Sequence, residues 1–308
     1  MANCAILLIK DDLGQSVKSK KICFISFFSF PVLSQPISEV VGGAELQQGL
    51  LAEELAEKGY DISFMVPDCG QELCQPVGKI KLFKSLPSGL TKKKLVAKLY
   101  WYSLIPGIIW RRLSMANSQI YEQRMIGATS ALVAFFCRVK KRKYVYCVAS
   151  DAAVDGTYIK KQRFPFSRFT LWAIRNADGI IAQTQYQQKL LKLNFQRDSI
   201  VLESICLLPD NLPLEEQPPV VLWVGNMRRV KRPDLFLKLA AAMPEAKFRM
   251  IGGASSWENP NYFEELKKSA ALLPNLEFLG FIPYQQAARY FATASILVST
   301  SDFEAYSE

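Results

Sequence analysis

Residues 219–304 read PVVLWVGNMRRVKRPDLFLKLAAAMPEAKFRMIGGASSWENPNYFEELKKSAALLPNLEFLGFIPYQQAARYFATASILVSTSDFE. Four short apolar runs, PVVLWVGN, KFRMIGG, LEFLGFIP and SILVST, alternate with stretches of helical period. Strand and helix in alternation build a parallel sheet, and such sheets take ligands at the carboxyl ends of their strands. Lys231 follows the first run and Glu304 the last, so one cation and one carboxylate are expected at that edge.

Outward from this stretch, 308 residues predict about two domains, each with its own core. Half the residues are hydrophobic and 21% charged, as in an ordinary globular protein. The net charge of +10 is uneven. Residues 213–308 hold 10 Lys+Arg against 11 Asp+Glu, whereas residues 1–212 hold 28 against 17, or +11. A basic first part suits an acidic partner surface such as anionic lipid or nucleic acid, and solubility accounts for part of it. Histidine is absent, which removes His-based acid–base chemistry, Ser-His-Asp triads and His-ligated zinc. The seven cysteines (4, 23, 69, 74, 137, 147, 206) are scattered and form no Cys-x-x-Cys pair, so reduced thiols in a cytoplasmic protein are expected.

Lys18 to Lys21 followed by ICFISFFSF mimics a signal peptide. The run ends at Pro31 without a small-residue cleavage site, and its aromatic and β-branched residues make it a buried first strand, 21–29. WYSLIPGIIW, 101–110, is too short for a bilayer, which needs about 20 apolar residues. After Gly42-Gly43 a helix is expected with Leu46, Leu50 and Leu55 on one stripe and Gly59 as its stop, then the strand DISFMVP. Further strands are expected at IYEQ, before Ser150-Asp151, and at GIIAQT; LLPDNLPLEEQPP reads as an interdomain linker. The resulting division is an N-terminal extension at 1–20, a first domain at 21–210, a linker at 211–219 and a second, partial domain at 220–308.

Taken in order and at this spacing, several pieces resemble glycosyltransferase family 4, retaining enzymes with two Rossmann-like domains (the GT-B fold). In the second domain they are Val224-Gly225 with Lys231-Arg232-Pro233-Asp234, Ile251-Gly252-Gly253, Leu279 to Pro283, and Ser299 to Glu304. The first contributes Val41 to Glu45, Ile120 to Arg124, Ala149-Ser150-Asp151 and Ala177-Asp178. The resemblance covers about residues 21–306. The chain has no Asp-x-Asp motif, which disfavours the metal-dependent single-sheet class, and no Gly-x-Gly-x-x-Gly, which argues against a dinucleotide oxidoreductase.

The resemblance implies a nucleotide diphosphate sugar as donor, a glycan or lipid-linked acceptor, and no metal or other cofactor. Negative charge growing on the departing diphosphate needs preorganised cations. Lys231 is the expected catalytic cation, and Asn226 stands where the family has its partner arginine, with Arg228 nearby. Gly42 and Gly43 are expected to approach the donor, Gly253 and the backbone of Phe281 and Ile282 to line it, and Glu304 to accept sugar hydroxyls. A glycine pair also makes a plain tight turn, Lys231 a solvated turn residue, Glu304 a surface carboxylate, and Phe281-Ile282 a packed strand end. The family's site histidine aligns with Ser150, so Asp151 is the candidate for a hydroxyl contact, with a turn-forming role as its alternative. Arg124 is a candidate for phosphate in donor or acceptor, or a surface residue. Family members continue Gly-Phe-Pro after the glutamate where this chain has Ala305-Tyr306-Ser307, and their second glutamate falls beyond Glu308.

The expected protein is thus a retaining hexosyltransferase of the cytoplasm, serving cell-surface polysaccharide synthesis. The basic aromatic stretch 91–115 is expected either on an anionic membrane or as a helix with a charged face. Two other readings stay open: a truncated, inactive glycosyltransferase-like chain, and a non-enzymatic basic module binding membrane or nucleic acid. No nucleic-acid signature accompanies the charge, so no nucleic-acid partner is expected.

Overall fold

The computed structural model describes residues 20–26, 43–68, 70–85, 104–204, 219–255 and 258–302. Gly42, Glu304, most of the basic aromatic stretch and the proposed N-terminal extension up to residue 19 lie outside the described residues. The chain packs as two compact units, whose described residues are 20–204 and 219–302.

In the first unit eight strands form one sheet: β1 (Lys21–Ile25), β2 (Asp61–Val66), β3 (Cys74–Val77), β4 (Ile80–Lys84), β5 (Ile120–Gln123), β6 (Lys143–Cys147), β7 (Gly179–Ala182) and β8 (Ile200–Val201). Their order is β3-β4-β2-β1-β5-β6-β7-β8, parallel except for the pair β3–β4. The apolar runs of β1 and β2, broken only by the buried Ser63, are what a strand buried on both faces requires. Alternate residues divide between the faces. Ile22 and Phe24 pack with Ile62, Phe64 and Leu55 on one side. Cys23 and Ile25 join Tyr121, Tyr144 and Tyr146 on the other. Phe24 and Phe64 are register partners whose rings stack at 5.0 Å.

Helix α1 (Gly43–Glu57) covers the first face. Helices α2 (Ile105–Ala116), α3 (Ala128–Val139), α4 (Thr157–Lys161), α5 (Phe166–Arg175) and α6 (Gln185–Phe195) cover the second. The face that α1 buries is not the leucine stripe of the sequence. It carries Gln47, Gln48, Ala52, Leu55 and Ala56, while Leu46 and Leu50 are half-buried. The reason is polar: the Gln48 amide donates to the buried Glu122 carboxylate at 2.6 Å. Gly59 ends the helix at φ +87°, and Tyr60 donates back to the Leu55 carbonyl. The β3–β4 hairpin, which the sequence reading did not anticipate, turns through Gly78 at φ +55° and puts Pro76 on an edge strand, where no sheet N–H is missed.

The second unit holds β9 (Val220–Val224), β10 (Lys247–Ile251), β11 (Leu276–Gly280) and β12 (Ile296–Leu297), with α7 (Pro233–Ala242), α8 (Pro260–Ala271) and α9 (Tyr284–Thr293) between them. All four strands run parallel in the order β11-β10-β9-β12. Its core is Trp223, Phe236, Phe248, Met250, Tyr262 and Leu266. Arg249, between Phe248 and Met250 on β10, is buried on the opposite face, where it donates to Glu277, its register partner on β11, at 2.7 Å. The chain builds outward from β9 to β11 and then returns to the opposite side of β9. That reversal between β9 and β12 is the topological switch, where parallel sheets open a crevice for ligands. The SILVST run pairs only over Ile296–Leu297 before turning across the sheet edge.

Candidate functional site

At the switch point of the second unit, the turn after β9 carries Asn226, Arg228 and Lys231. Arg228 donates to the Asn226 carbonyl at 2.7 Å, and Lys231 donates to the Arg228 carbonyl at 2.9 Å, which tightens residues 229–231 into one turn of 3-10 helix. Met227 reaches across to the Gly253 carbonyl at 3.0 Å, so the loop after β10 braces the turn from beneath. Gly253 therefore contributes a carbonyl to the frame. Gly252 beside it has no space for a side chain: a Cβ there would lie 1.8 Å from the Gly225 carbonyl oxygen.

The segment after β12 is fastened to this turn. The Trp223 indole N–H donates to the Thr300 hydroxyl at 3.0 Å. That hydroxyl in turn lies 2.8 Å from the carbonyl oxygens of both Lys231 and Arg232. The Asp302 N–H donates to the Val230 carbonyl at 2.9 Å. Arg232 sits at φ +48°, a left-handed conformation that a side chain adopts at a cost. Its guanidinium grips Asp234 with two bonds of 3.0 Å and reaches Asp302 at 3.2 Å. This pairing holds the Asp234 carboxyl below its ordinary range, the Arg232 hydrogen bonds being the main cause. Glu304 follows two residues after Asp302 and falls outside the described residues.

The two neighbouring arginines differ. Arg229 stacks over the Tyr262 ring at 4.5 Å, and its backbone N–H donates to Glu258 at 3.0 Å. The Arg228 Nε is buried without a hydrogen-bond partner among the described residues. A buried donor of this kind asks for an acceptor. Lys231 stands two residues before the first turn of α7, whose early N–H groups favour an anion. Phe281 and Ile282 are half-buried on the same carboxyl edge, after β11, two strands from the switch.

In the first unit the switch lies between β1 and β5. Gly43 is the exposed first residue of α1. Arg124 follows β5 and borders a narrow crevice with Gln47, Gln48, Glu122, Gln183 and Ser204. With its amide oxygen toward Arg124, Gln183 accepts from that guanidinium and from Ser204, and donates to the Val148 carbonyl at 3.1 Å. The Gln183 N–H donates to Gln187 at 2.9 Å, and Gln187 donates to Asp151 at 2.9 Å. Asp151 thus shares one polar chain with Arg124, and half of its carboxylate braces the fully buried Gln187. Ser150 is extended and caps the following turn through its carbonyl.

Sequence reasoning passed over Glu122. It is buried, and loss of solvation raises its carboxyl above the ordinary range, while hydrogen bonds from Cys147 and Gln48 and the charge of Arg124 pull the other way. The available signal was a carboxylate inside the strand IYEQ, directly before the arginine that was singled out. Among the described residues, no cluster of three or more Cys, Asp or Glu is placed to hold a metal ion, and no helix is long and apolar enough to cross a membrane.

Two sheets, parallel but for β3 and each with helices over its strands, give the GT-B fold seen in the solved glycosyltransferases that this chain resembles. Residues 207–307 match the family model of glycosyl transferases group 1. Sucrose-phosphate synthase from Thermosynechococcus elongatus is a structural neighbour, with TM-score 0.65 and 17% identity over 94% of this chain and 77% of that one. Anabaena HepE, solved with UDP and glucose, gives TM-score 0.60 and 15% identity over 93% and 75%. A putative UDP-N-acetylglucosamine 2-epimerase from Listeria monocytogenes gives TM-score 0.53 and 11% identity over 91% and 73%. A search of curated protein sequences returned no match. At such identities the likeness establishes the fold.

Proposed function

We propose that the protein transfers a hexosyl group from a nucleoside diphosphate sugar to a hydroxyl of a glycan or lipid-linked acceptor, with retention and in cell-surface polysaccharide synthesis. The observation that carries this reading is the Lys231 turn, tied through Thr300 to the segment after β12 at the switch point of the matched domain. UDP and glucose in the HepE structure support the substrate class.

In this reading the C–O bond to the diphosphate breaks while the acceptor hydroxyl attacks from the same face. Lys231 meets the charge that grows on the leaving oxygens, with the first turn of α7 assisting. Arg228 is the second cation: a diphosphate oxygen supplies the acceptor its buried Nε lacks. These side chains serve in place of a metal ion, and the departing phosphate takes the acceptor proton. Phe281 and Ile282 receive the nucleobase, Gly42, Gly43 and Glu304 hold the donor, and Arg124 with Ser150 and Asp151 orients the acceptor. The free thiols of Cys23, Cys74, Cys137 and Cys147 suit the reducing cytoplasm.

The test is thermal unfolding with UDP, GDP and ADP in turn. The matching nucleotide at 100 times its Kd stabilises the protein by about 2.7 kcal/mol. Lys231→Ala loses that gain, and its kcat falls about 10²–10³-fold. If no nucleoside diphosphate raises the melting temperature, the reading fails. The fold shared with an epimerase supports a second reading, and the two separate cleanly: a C2-epimerised donor formed without any acceptor favours isomerisation over transfer.

A further inference from the structure

We propose that the first unit docks on an anionic lipid surface through the layer that α3, α4 and α5 build on one face of its sheet. The inference does not rest on the transferase reading. Residues 156–177 contain five Lys+Arg and no Asp or Glu, and residues 128–143 again contain five and none. The two stretches are neighbours in space, because α3 packs directly on α5 and α5 on α4, over one shared core. The three helices of this layer therefore carry no carboxylate, with Lys160, Lys161 and Arg163 before the start of α5 and Arg138 against Asn176 at its end. The acids that bracket the longer stretch are engaged: Asp155 accepts from Thr157 at 2.6 Å, and Asp178 accepts from the Tyr144 N–H at 2.9 Å and pairs with Lys143.

What singles out lipid is the company the cations keep. Phe164 is 77% exposed, Phe169 46% and Tyr158 39%, and they interleave with the exposed Lys160, Lys161, Arg163 and Arg168. On the adjoining helix Phe135 and Val139, one turn apart, are each about half exposed. A duplex-binding surface spaces its cations with small polar donors for phosphate and sugar. Here the spacers are rings and branched aliphatics standing in water. An interfacial surface needs this combination: cations at the level of the headgroups and aromatic side chains entering the acyl boundary.

Co-sedimentation of the full chain with vesicles tests it, using phosphatidylcholine alone and an equal mixture of phosphatidylcholine and phosphatidylglycerol. The protein should pellet with the mixture, leave the pellet as salt is raised, and ignore phosphatidylcholine alone. Lys160→Ala, Lys161→Ala and Arg168→Ala should each lower partitioning about fivefold, the share of one cation near a charged membrane. Phe164→Ser with Phe169→Ser should weaken binding to the mixture with every charge kept. Both positions are exposed, and an unchanged melting temperature confirms that the fold is intact; should the pair unfold, Tyr158→Ser with Phe164→Ser replaces it. Equal binding to both vesicle types overturns the proposal. So does binding indifferent to the aromatic pair, or duplex DNA that displaces the vesicles and binds the aromatic variant undiminished.

Discussion

At Gly252 the backbone leaves no room for one further carbon, because the Gly225 carbonyl oxygen already stands where it would go. Gly252→Ala must push the β9 and β10 exits apart and should cost about 3 kcal/mol. At Gly225 the obstacle is the Trp223 ring at 3.1 Å, which has little freedom in a packed core, and Gly225→Ala should cost about 1 kcal/mol. Urea midpoints rank the two, and an equal cost would contradict this account. Glu122 gives a pH signature. Its carboxyl is raised in the folded state, so the folded protein binds that proton more tightly than the unfolded chain does. The contribution is full below the ordinary glutamate value of about 4.3 and declines as pH rises toward the elevated one. Glu122→Gln removes this decline, so the gap between variant and parent melting temperatures should widen with pH in favour of the variant. The turn that bears Lys231 and Arg228 was legible in the sequence through its resemblance to a family motif, since a turn lysine in solvent looks the same by itself. The role of Glu122 was not, since a carboxylate in a short strand reads the same whether its face meets water or Gln48.

Among elements, the joint between the 3-10 turn and α7 is the one under tension. Arg232 holds a left-handed backbone there while its side chain ties Asp234 to Asp302. Arg232→Ala loses the ties and keeps the backbone cost; Arg232→Gly loses the ties and relieves it. The glycine variant should therefore be the more stable of the two by about 1 kcal/mol, and both should bind nucleoside diphosphate more weakly than the parent. Calorimetry and a nucleotide titration measure the pair. Asp234, held low by Arg232, contributes above the ordinary aspartate value of about 3.9 and loses that contribution as pH falls below it; its exposure keeps the effect small. The strand GIIA was visible as an apolar run between breakers. The SILVST run was over-read, because its last residues spend their hydrogen bonds on the Lys231 turn instead of on a neighbouring strand. The α1 stripe was misplaced for a related reason: periodicity locates apolar residues, and that helix turns its glutamines inward.

On the scale of the whole chain, each sheet carries its own core, Tyr121, Tyr144 and Phe136 in one unit and Trp223, Phe236 and Phe248 in the other. Calorimetry should resolve two transitions, and a nucleoside diphosphate should move only the one that belongs to residues 219–302. A single transition shifted as a whole would join the units into one cooperative block. The alternation of strands and helices was legible from the chain, and so was the +11 charge of residues 1–212. Where that charge gathers was not, because Arg138 reaches Asn176, beside Arg175 at the end of α5, only when α3 meets α5. One indole also makes the second unit readable by light. Trp223 is almost wholly enclosed, yet its N–H ends on the hydroxyl that secures the Lys231 turn. Any ligand that shifts that turn alters the polarity around this ring, so its emission spectrum offers a label-free titration curve, with Trp223→Phe as the blank.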